Sequence, residues 1–164
     1  MRLTKNFTLQ EFTRSNTALR LGLSNKPTKE GIIKLRLLAA FLQTIRDRLG
    51  ALRITSGYRS PALSQAIGSS ANSQHCRYEA VDLQYVKRGK MDNLKIYQTI
   101  VDLDLDFDQI ILEFGDSTEY NDPMRPAWIH LSWKVSDNRR QVLVAYKDEN
   151  NKTKYRPLIE YNSL

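Results

Sequence analysis

The chain has 164 residues, of which 41% are hydrophobic and 26% charged, and its formal net charge is +7. This is an ordinary globular composition, and it excludes an intrinsically disordered chain. The length favours a single domain over residues 1–164, with a core at about 3–146 and a C-terminal tail at 147–164. The single cysteine, Cys76, excludes an internal disulfide.

The sequence has no N-terminal apolar run as long as a signal peptide and no stretch that could span a membrane. The positive charge has two interpretations: a face that attracts anionic polymers or nucleic acid, or solvated side chains that keep the protein soluble. We favour solvated side chains, because the charges are dispersed and no basic stretch alternates with aromatic residues. We therefore expect no specific nucleic-acid partner.

Capping signals predict three helices in the first 50 residues. Thr8 followed by Glu11 is the pattern of a capping box, and a second short helix is expected at 15–21. Thr28 is expected to cap the longest helix, which reaches about Leu49 because its apolar residues recur every three or four positions.

The rest of the chain predicts short strands separated by loops and two further helices. Strands are expected at 52–56, 80–83, 107–114, 128–133 and 140–146. One helix is expected to start at Pro61 and another to cover 92–103. The polar loop at 115–126 is long for a hairpin, and long loops are often functional lids.

The two histidines of the chain, His75 and His130, point to a metal site. Asp82 follows His75 by seven residues, and a strand at 80–83 would aim its carboxylate inward. Two imidazoles and one carboxylate are the protein ligands of a catalytic zinc site whose fourth position stays open. The pattern predicts one Zn²⁺ held by His75, Asp82 and His130, while the adjacent Cys76 is expected to point away.

Three blocks around these residues resemble the LAS-type zinc peptidases, which include D-alanyl-D-alanine carboxypeptidases and phage endolysins. The blocks are Ile54-Thr55-Ser56-Gly57-Tyr58-Arg59-Ser60, the segment from Ser73 to Asp82, and Trp128-Ile129-His130. The second block follows the family pattern Ser-x-His-x-x-Gly-x-Ala-x-Asp, except that Tyr78 replaces the glycine. Because glycine allows backbone conformations that tyrosine resists, Tyr78 predicts a differently shaped loop before Asp82.

The resemblance implies an α+β fold of the hedgehog and D-Ala-D-Ala peptidase type. This is a small, mainly antiparallel sheet with flanking helices and a metal groove over the sheet. It implies that Arg59 contacts the substrate carbonyl or terminal carboxylate, which suits an always-charged planar guanidinium. The alternative is a surface arginine that caps a turn. By the same match, Ser73 would steady the metal-site loop or form a hydrogen bond near Asp82.

A general base must take a proton from water and pass it to the leaving amine. Many relatives carry an acidic residue three positions before the last histidine, where this chain has Ala127. If the strands at 107–114 and 128–133 pair, alternation places Glu113 beside His130, facing the metal; phage-type relatives also tend to carry a glutamate in this strand. Glu113 is our candidate base, and the alternative is an acid that orients a ligand histidine. Three other acidic residues are outside candidates: Glu79, Asp116 and Glu119.

The resemblance implies zinc-dependent hydrolysis of a peptide bond in peptidoglycan stem peptides, either by a D-Ala-D-Ala carboxypeptidase or by an endolysin-type endopeptidase. Trp128 and Tyr78 would line the substrate groove or else pack as core or rim aromatics. The protein would be a monomer unless it is part of a virion, and it would reach the wall from the host cytoplasm or a virion after release. The alternative is an inactive relative that serves as a virion structural or wall-binding module, which Ala127 and Tyr78 leave open.

Overall fold

A sheet of seven strands with helices against one face forms the frame of the protein, which a computed structural model describes for residues 1–115 and 124–158. The helices are α1 (Leu9–Thr13), α2 (Asn16–Arg20), α3 (Lys29–Leu49), α4 (Pro61–Ala66) and α5 (Leu94–Asp102). The strands are β1 (Leu52–Ser56), β2 (Ala80–Lys87), β3 (Lys90–Met91), β4 (Gln109–Gly115), β5 (Pro126–Ser132), β6 (Gln141–Lys147) and β7 (Thr153–Pro157).

The strand order is β1-β2-β5-β4-β6-β7, with the short β3 paired to β2. Every pair is antiparallel except β4 with β6, which is parallel. The predicted α+β fold with a mainly antiparallel sheet is confirmed.

The helix starts follow the capping signals of the sequence. At α1 the Glu11 carboxylate accepts hydrogen bonds from the backbone and the hydroxyl of Thr8, at 2.7 and 2.8 Å. At α3 the Thr28 hydroxyl accepts from the Gly31 amide at 3.0 Å, and the helix ends at Gly50, whose φ of 111° suits glycine. These caps fix α1 and α3 before the sheet begins.

The two faces of the sheet differ in chemistry because side chains alternate along each strand. The core face of the three central strands carries fully buried apolar residues: Val81, Leu83, Ile110, Leu112, Ile129 and Leu131. They form one cluster with residues of α3 and α5 that include Leu38, Leu42, Ile96 and Ile100. The opposite face carries Asp82, Glu113 and His130. The site therefore lies on the sheet face opposite the helical core, as the predicted groove over the sheet requires.

The C-terminal segment contains a strand that the sequence analysis did not predict: Thr153–Pro157 forms β7 and pairs with β6 from Leu143 to Lys147. Its side chains are mostly exposed and include Lys154 and Arg156, which protect an edge strand against pairing with other chains. A strand with little apolar content gives a weak sequence signal. No helix of the described part of the chain is long and apolar enough to cross a membrane.

Candidate metal centre

Strand pairing brings the predicted ligands together. Asp82 of β2 stands opposite His130 of β5, and Ser56 at the end of β1 stands opposite Asp82. His75 comes from the loop that leads into β2 and is buried, with 3% of its surface exposed. Residues 55 positions apart in sequence thus meet on one sheet face.

The three ligand atoms form a nearly equilateral triangle. His75 Nε2 lies 3.2 Å from His130 Nδ1, His130 Nδ1 lies 3.1 Å from Asp82 Oδ1, and His75 Nε2 lies 3.4 Å from Asp82 Oδ1. Ligand atoms about 2.0–2.1 Å from a tetrahedral zinc ion lie about 3.3 Å apart. The three side chains therefore fit one face of a zinc tetrahedron, and among the described residues they form the one such group of potential metal ligands.

A backbone hydrogen bond selects the tautomer of His75. Its Nδ1 lies 2.7 Å from the carbonyl oxygen of Gly57, and because a carbonyl only accepts, Nδ1 carries the proton. Nε2 is then the atom with the free lone pair, as a metal ligand must be. Gly57 is held in place by α1: a Cβ there would overlap the Phe12 carbonyl, which also accepts from the Tyr58 amide at 2.7 Å. This contact explains why the first block of the sequence has a glycine before Tyr58 and Arg59.

Asp82 is ionised and shared between the ligand group and Arg59. Burial raises the pKa of Asp82, but hydrogen bonds and charge from His130 and His75 lower it by a larger amount. The pKa of Asp82 therefore lies well below its usual range. Arg59 Nη2 donates to Asp82 Oδ2 at 2.7 Å, while its Nε donates to Ser56 Oγ at 2.9 Å. Arg59 therefore sits at the edge of the metal centre, anchored by two contacts, and the predicted substrate contact would come from its remaining N–H groups.

The loop before His75 is tied to the start of β4 by a residue that sequence reasoning missed. Gln74 Nε2 donates to Asp108 Oδ2 at 2.8 Å, and Asp108 is fully buried. Arg139 and Lys134 also bind this carboxylate, at 2.6 and 3.1 Å. An acidic residue beside an apolar strand predicts that a cationic side chain pairs with it, but the sequence does not show which residue provides that cation.

The other predicted residues of this loop have structural positions. Ser73 Oγ accepts a hydrogen bond from the His75 amide at 3.3 Å, and its predicted role at the site stays a prediction. Cys76 is half-buried with its Sγ 3.9 Å from the Ser70 carbonyl, and it is not a member of the metal-ligand group. The expectation that Cys76 points away from the site agrees with this placement.

Tyr78 has a φ of 66°, the left-handed conformation that the family glycine would adopt readily. Its ring stacks on Tyr58 with centroids 4.3 Å apart, and its hydroxyl accepts from the Thr28 amide at 3.2 Å. The ring also fits against Gly31 of α3, where any side chain would overlap it. These contacts offset a strain of about 1 kcal/mol, so the backbone reaches a glycine-type conformation despite tyrosine. Tyr78 is a rim aromatic packed on α3; its predicted substrate contact stays a prediction.

Glu113 lies on the same sheet face as the ligands, one step along β4. Ile111 stands opposite His130 and Glu113 stands opposite Trp128, so Glu113 is the diagonal neighbour of His130, within reach of a long side chain. Only 9% of its surface is exposed, and burial raises its pKa to about 7, with His130 lowering it and Asp82 raising it. Trp128 is half-buried and packs edge-to-face on Phe114 at 5.4 Å.

The other positions considered for the general base are Ala127, Glu79, Asp116 and Glu119. Ala127, three positions before His130, falls on the opposite face of β5 by alternation, so this position does not face the metal centre in the observed strand. Glu79 is ion-paired with Arg77 at 3.0 Å. Asp116 and Glu119, and most of the predicted lid at 115–126, lie outside the described residues.

Comparison with known proteins agrees with this geometry. The sequence matches the Peptidase M15 family over residues 5–107, more than half of the chain. The matched range includes Arg59, Ser73, His75 and Asp82, and it ends before the strands that carry Glu113 and His130. No curated protein matches the chain. The chain therefore belongs to the Peptidase M15 family of zinc D-Ala-D-Ala carboxypeptidases, and it is a zinc metallopeptidase.

Proposed function

We propose that this peptidase hydrolyses a peptide bond in peptidoglycan stem peptides, either the terminal D-Ala-D-Ala bond or a bond within the stem. The observation that carries the proposal is the triangle of His75 Nε2, Asp82 Oδ1 and His130 Nδ1, whose sides of 3.1–3.4 Å fit a single zinc ion. The family supports the substrate class, because its peptidases include enzymes for D-Ala-D-Ala.

The ligand set determines where the chemistry takes place. When bound, zinc supplies a Lewis acid that lowers the pKa of water and polarises a carbonyl group. His75, Asp82 and His130 would hold the ion on the sheet face opposite the helical core. A peptide lying across this face would place its carbonyl group beside these three side chains.

Glu113 would move the proton. A general base works best when its pKa lies near the operating pH, and burial places the pKa of Glu113 at about 7. The carboxylate would accept a proton from the attacking water and deliver it to the leaving amine. The alternative role, orientation of His130, predicts a loss of zinc affinity when Glu113 is replaced.

Arg59 would bind the oxygen on which negative charge develops. Its Nε and Nη2 are engaged by Ser56 and Asp82, and no described residue accepts a hydrogen bond from its Nη1. The two anchoring contacts fix the guanidinium plane, so that it is oriented before the substrate arrives.

We further propose one zinc ion per chain, and action on the wall after release from the host cytoplasm or from a virion.

The test is product analysis with purified peptidoglycan and a synthetic stem pentapeptide. We expect the zinc-loaded protein to release either D-alanine or a shorter peptide with a new amino terminus, which mass spectrometry distinguishes. Glu113→Gln should lower kcat about 100-fold to 10,000-fold and keep the zinc. Glu79→Gln, a matched change at a glutamate paired with Arg77, should change neither.

Two results would contradict the proposal. A zinc-loaded wild type that releases no product from either substrate would favour the inactive wall-binding or virion module. Full activity of Glu113→Gln would remove Glu113 as the base while leaving the peptidase intact.

A further inference from the structure

A groove of about 810 Å³ runs along the β1 edge of the sheet and reaches the metal centre. One wall is β1, which pairs only with β2 among the described strands, and the other is the segment of α1 and α2. Ser56 and Arg59 line its inner end, and both contact each other beside Asp82. The groove is therefore continuous with the reaction site.

The groove is positively charged. The side chains of Arg14 and Arg53 line it, are exposed, and form no ion pair or hydrogen bond with any residue in the described ranges. Among the described residues that line the groove, Glu11 is the only acidic one, and its carboxylate accepts hydrogen bonds from the backbone and hydroxyl of Thr8. Two uncompensated guanidinium groups in one groove favour an anionic ligand.

The register of β1 directs this charge toward the metal centre. Arg53 stands opposite Gln84 and Ser56 stands opposite Asp82, so Arg53 lies on the sheet face of the ligands. A strand advances about 3.3 Å per residue, so the five residues of β1 extend about 16 Å. This length accommodates four or five residues of an extended peptide, and the edge of β1 that faces away from β2 offers backbone groups for hydrogen bonds.

We propose that this groove binds the acidic portion of the substrate, as an extended peptide along the edge of β1 whose carboxylates contact Arg14 and Arg53. The identity of the peptide rests on the proposed function. The binding site itself rests on the groove, its charge and its connection to Ser56 and Arg59.

The test compares two probes on the zinc-loaded Glu113→Gln protein, which leaves the peptide uncleaved. One probe is the pentapeptide L-Ala-γ-D-Glu-L-Lys-D-Ala-D-Ala with a free glutamate α-carboxylate; the other has that carboxylate amidated. Affinity is measured by calorimetry, and backbone amide shifts of residues 52–56 are followed by NMR. Arg36→Glu, an exposed change on α3 outside the groove, is the matched control for net charge.

We expect the acidic probe to shift the amides of β1. Arg53→Glu and Arg14→Glu should each raise its Kd about fivefold and the Kd of the amidated probe less than about twofold. Arg36→Glu should change neither value. The inference is overturned if the acidic probe does not bind, if the β1 amides do not shift, or if Arg53→Glu weakens both probes equally.

Hydrolysis is assayed separately on the variants that retain Glu113. Binding in the groove without hydrolysis would keep this inference and remove the proposed function. Hydrolysis that is indifferent to Arg14 and Arg53, with no shift at β1, would remove this inference alone.

Discussion

Two buried carboxylates on the same sheet, Asp82 and Asp108, have opposite surroundings. Asp108 has both oxygens occupied by donors, from Arg139, Lys134 and Gln74. Asp82 has one oxygen bound to Arg59, while the other faces the ring nitrogens of both histidines. The first environment is complete in the protein alone.

The second environment calls for a cation. Because His75 Nδ1 donates to Gly57, its Nε2 directs a lone pair toward Asp82 Oδ1, 3.4 Å away. Two electron-rich atoms are stable at that distance only when a proton or a metal ion lies between or beside them. Burial of an acid therefore does not by itself identify a site; the nature of its neighbours does.

The two carboxylates are also connected. Gln74, bound to Asp108, immediately precedes His75, so the structural cluster holds the loop that supplies a ligand to the metal cluster. Variants that disrupt one cluster at a time test this connection.

The largest effect is expected on zinc binding. His130→Ala removes one of three ligands and should lower zinc affinity more than about 100-fold, beyond the range of typical losses from outer-shell changes. Asp108→Asn should leave affinity within about tenfold, because it acts only through the loop at Gln74. Competition with a chromogenic chelator measures both, and elemental analysis gives the stoichiometry. Equal losses of zinc affinity in the two variants would contradict the assignment of a metal-binding role to one cluster and a structural role to the other.

A smaller effect is expected on the stability of the zinc-free protein, and it arises at Asp108. Asp108→Asn should lower the free energy of unfolding of the zinc-free protein by about 2 kcal/mol. The loss stays below that of a fully buried pair because Arg139 and Lys134 are partly exposed and regain water. Urea unfolding measures the change, with Asp137→Asn, an exposed aspartate, as the control. A loss at Asp108 no larger than at Asp137 would contradict the assignment.

The smallest effect is a pH dependence. Burial raises the pKa of Asp108, but hydrogen bonds from Arg139, Gln74 and Lys134 lower it by a larger amount. The pKa of Asp108 therefore lies below its usual range. A carboxylate with a depressed folded pKa stabilises the fold above its unfolded pKa of about 3.9, and this contribution is lost as the pH falls. We expect Asp108 to contribute a loss of about 1 kcal/mol in unfolding free energy between pH 5 and pH 3 in zinc-free protein. Unfolding curves at several pH values should show a shallower decline for Asp108→Asn; an unchanged slope would refute the role.

Local sequence signals were sufficient for much of the fold. Thr8 and Thr28 cap helices through bonds to residues three positions away, and the apolar period of α3 is visible within its own 21 residues. The predicted strand around Asp82 is also confirmed, because alternation is a property of neighbouring residues. In contrast, β7 was missed because its polar edge-strand composition carries little signal of its own.

The sequence predicted which residues are available for the site, but it did not determine how they come together. The sequence alone determined that two histidines and an aspartate were available as ligands, and the family resemblance predicted Arg59 and Ser73 beside them. Only the tertiary structure decided that β2 and β5 pair with Asp82 opposite His130, and that Glu113 lies diagonal to His130.

The same holds for Asp108 and for Tyr78. The partners of the buried Asp108 lie up to 34 residues away, and the φ of 66° at Tyr78 depends on the ring fitting against Gly31 and Tyr58. Helix caps and apolar periodicity involve residues a few positions apart, and they can therefore be recognised from the sequence alone. Strand register, ion pairing across the sheet and packing of a strained residue depend on which distant segments meet, and that is fixed only when the whole chain folds.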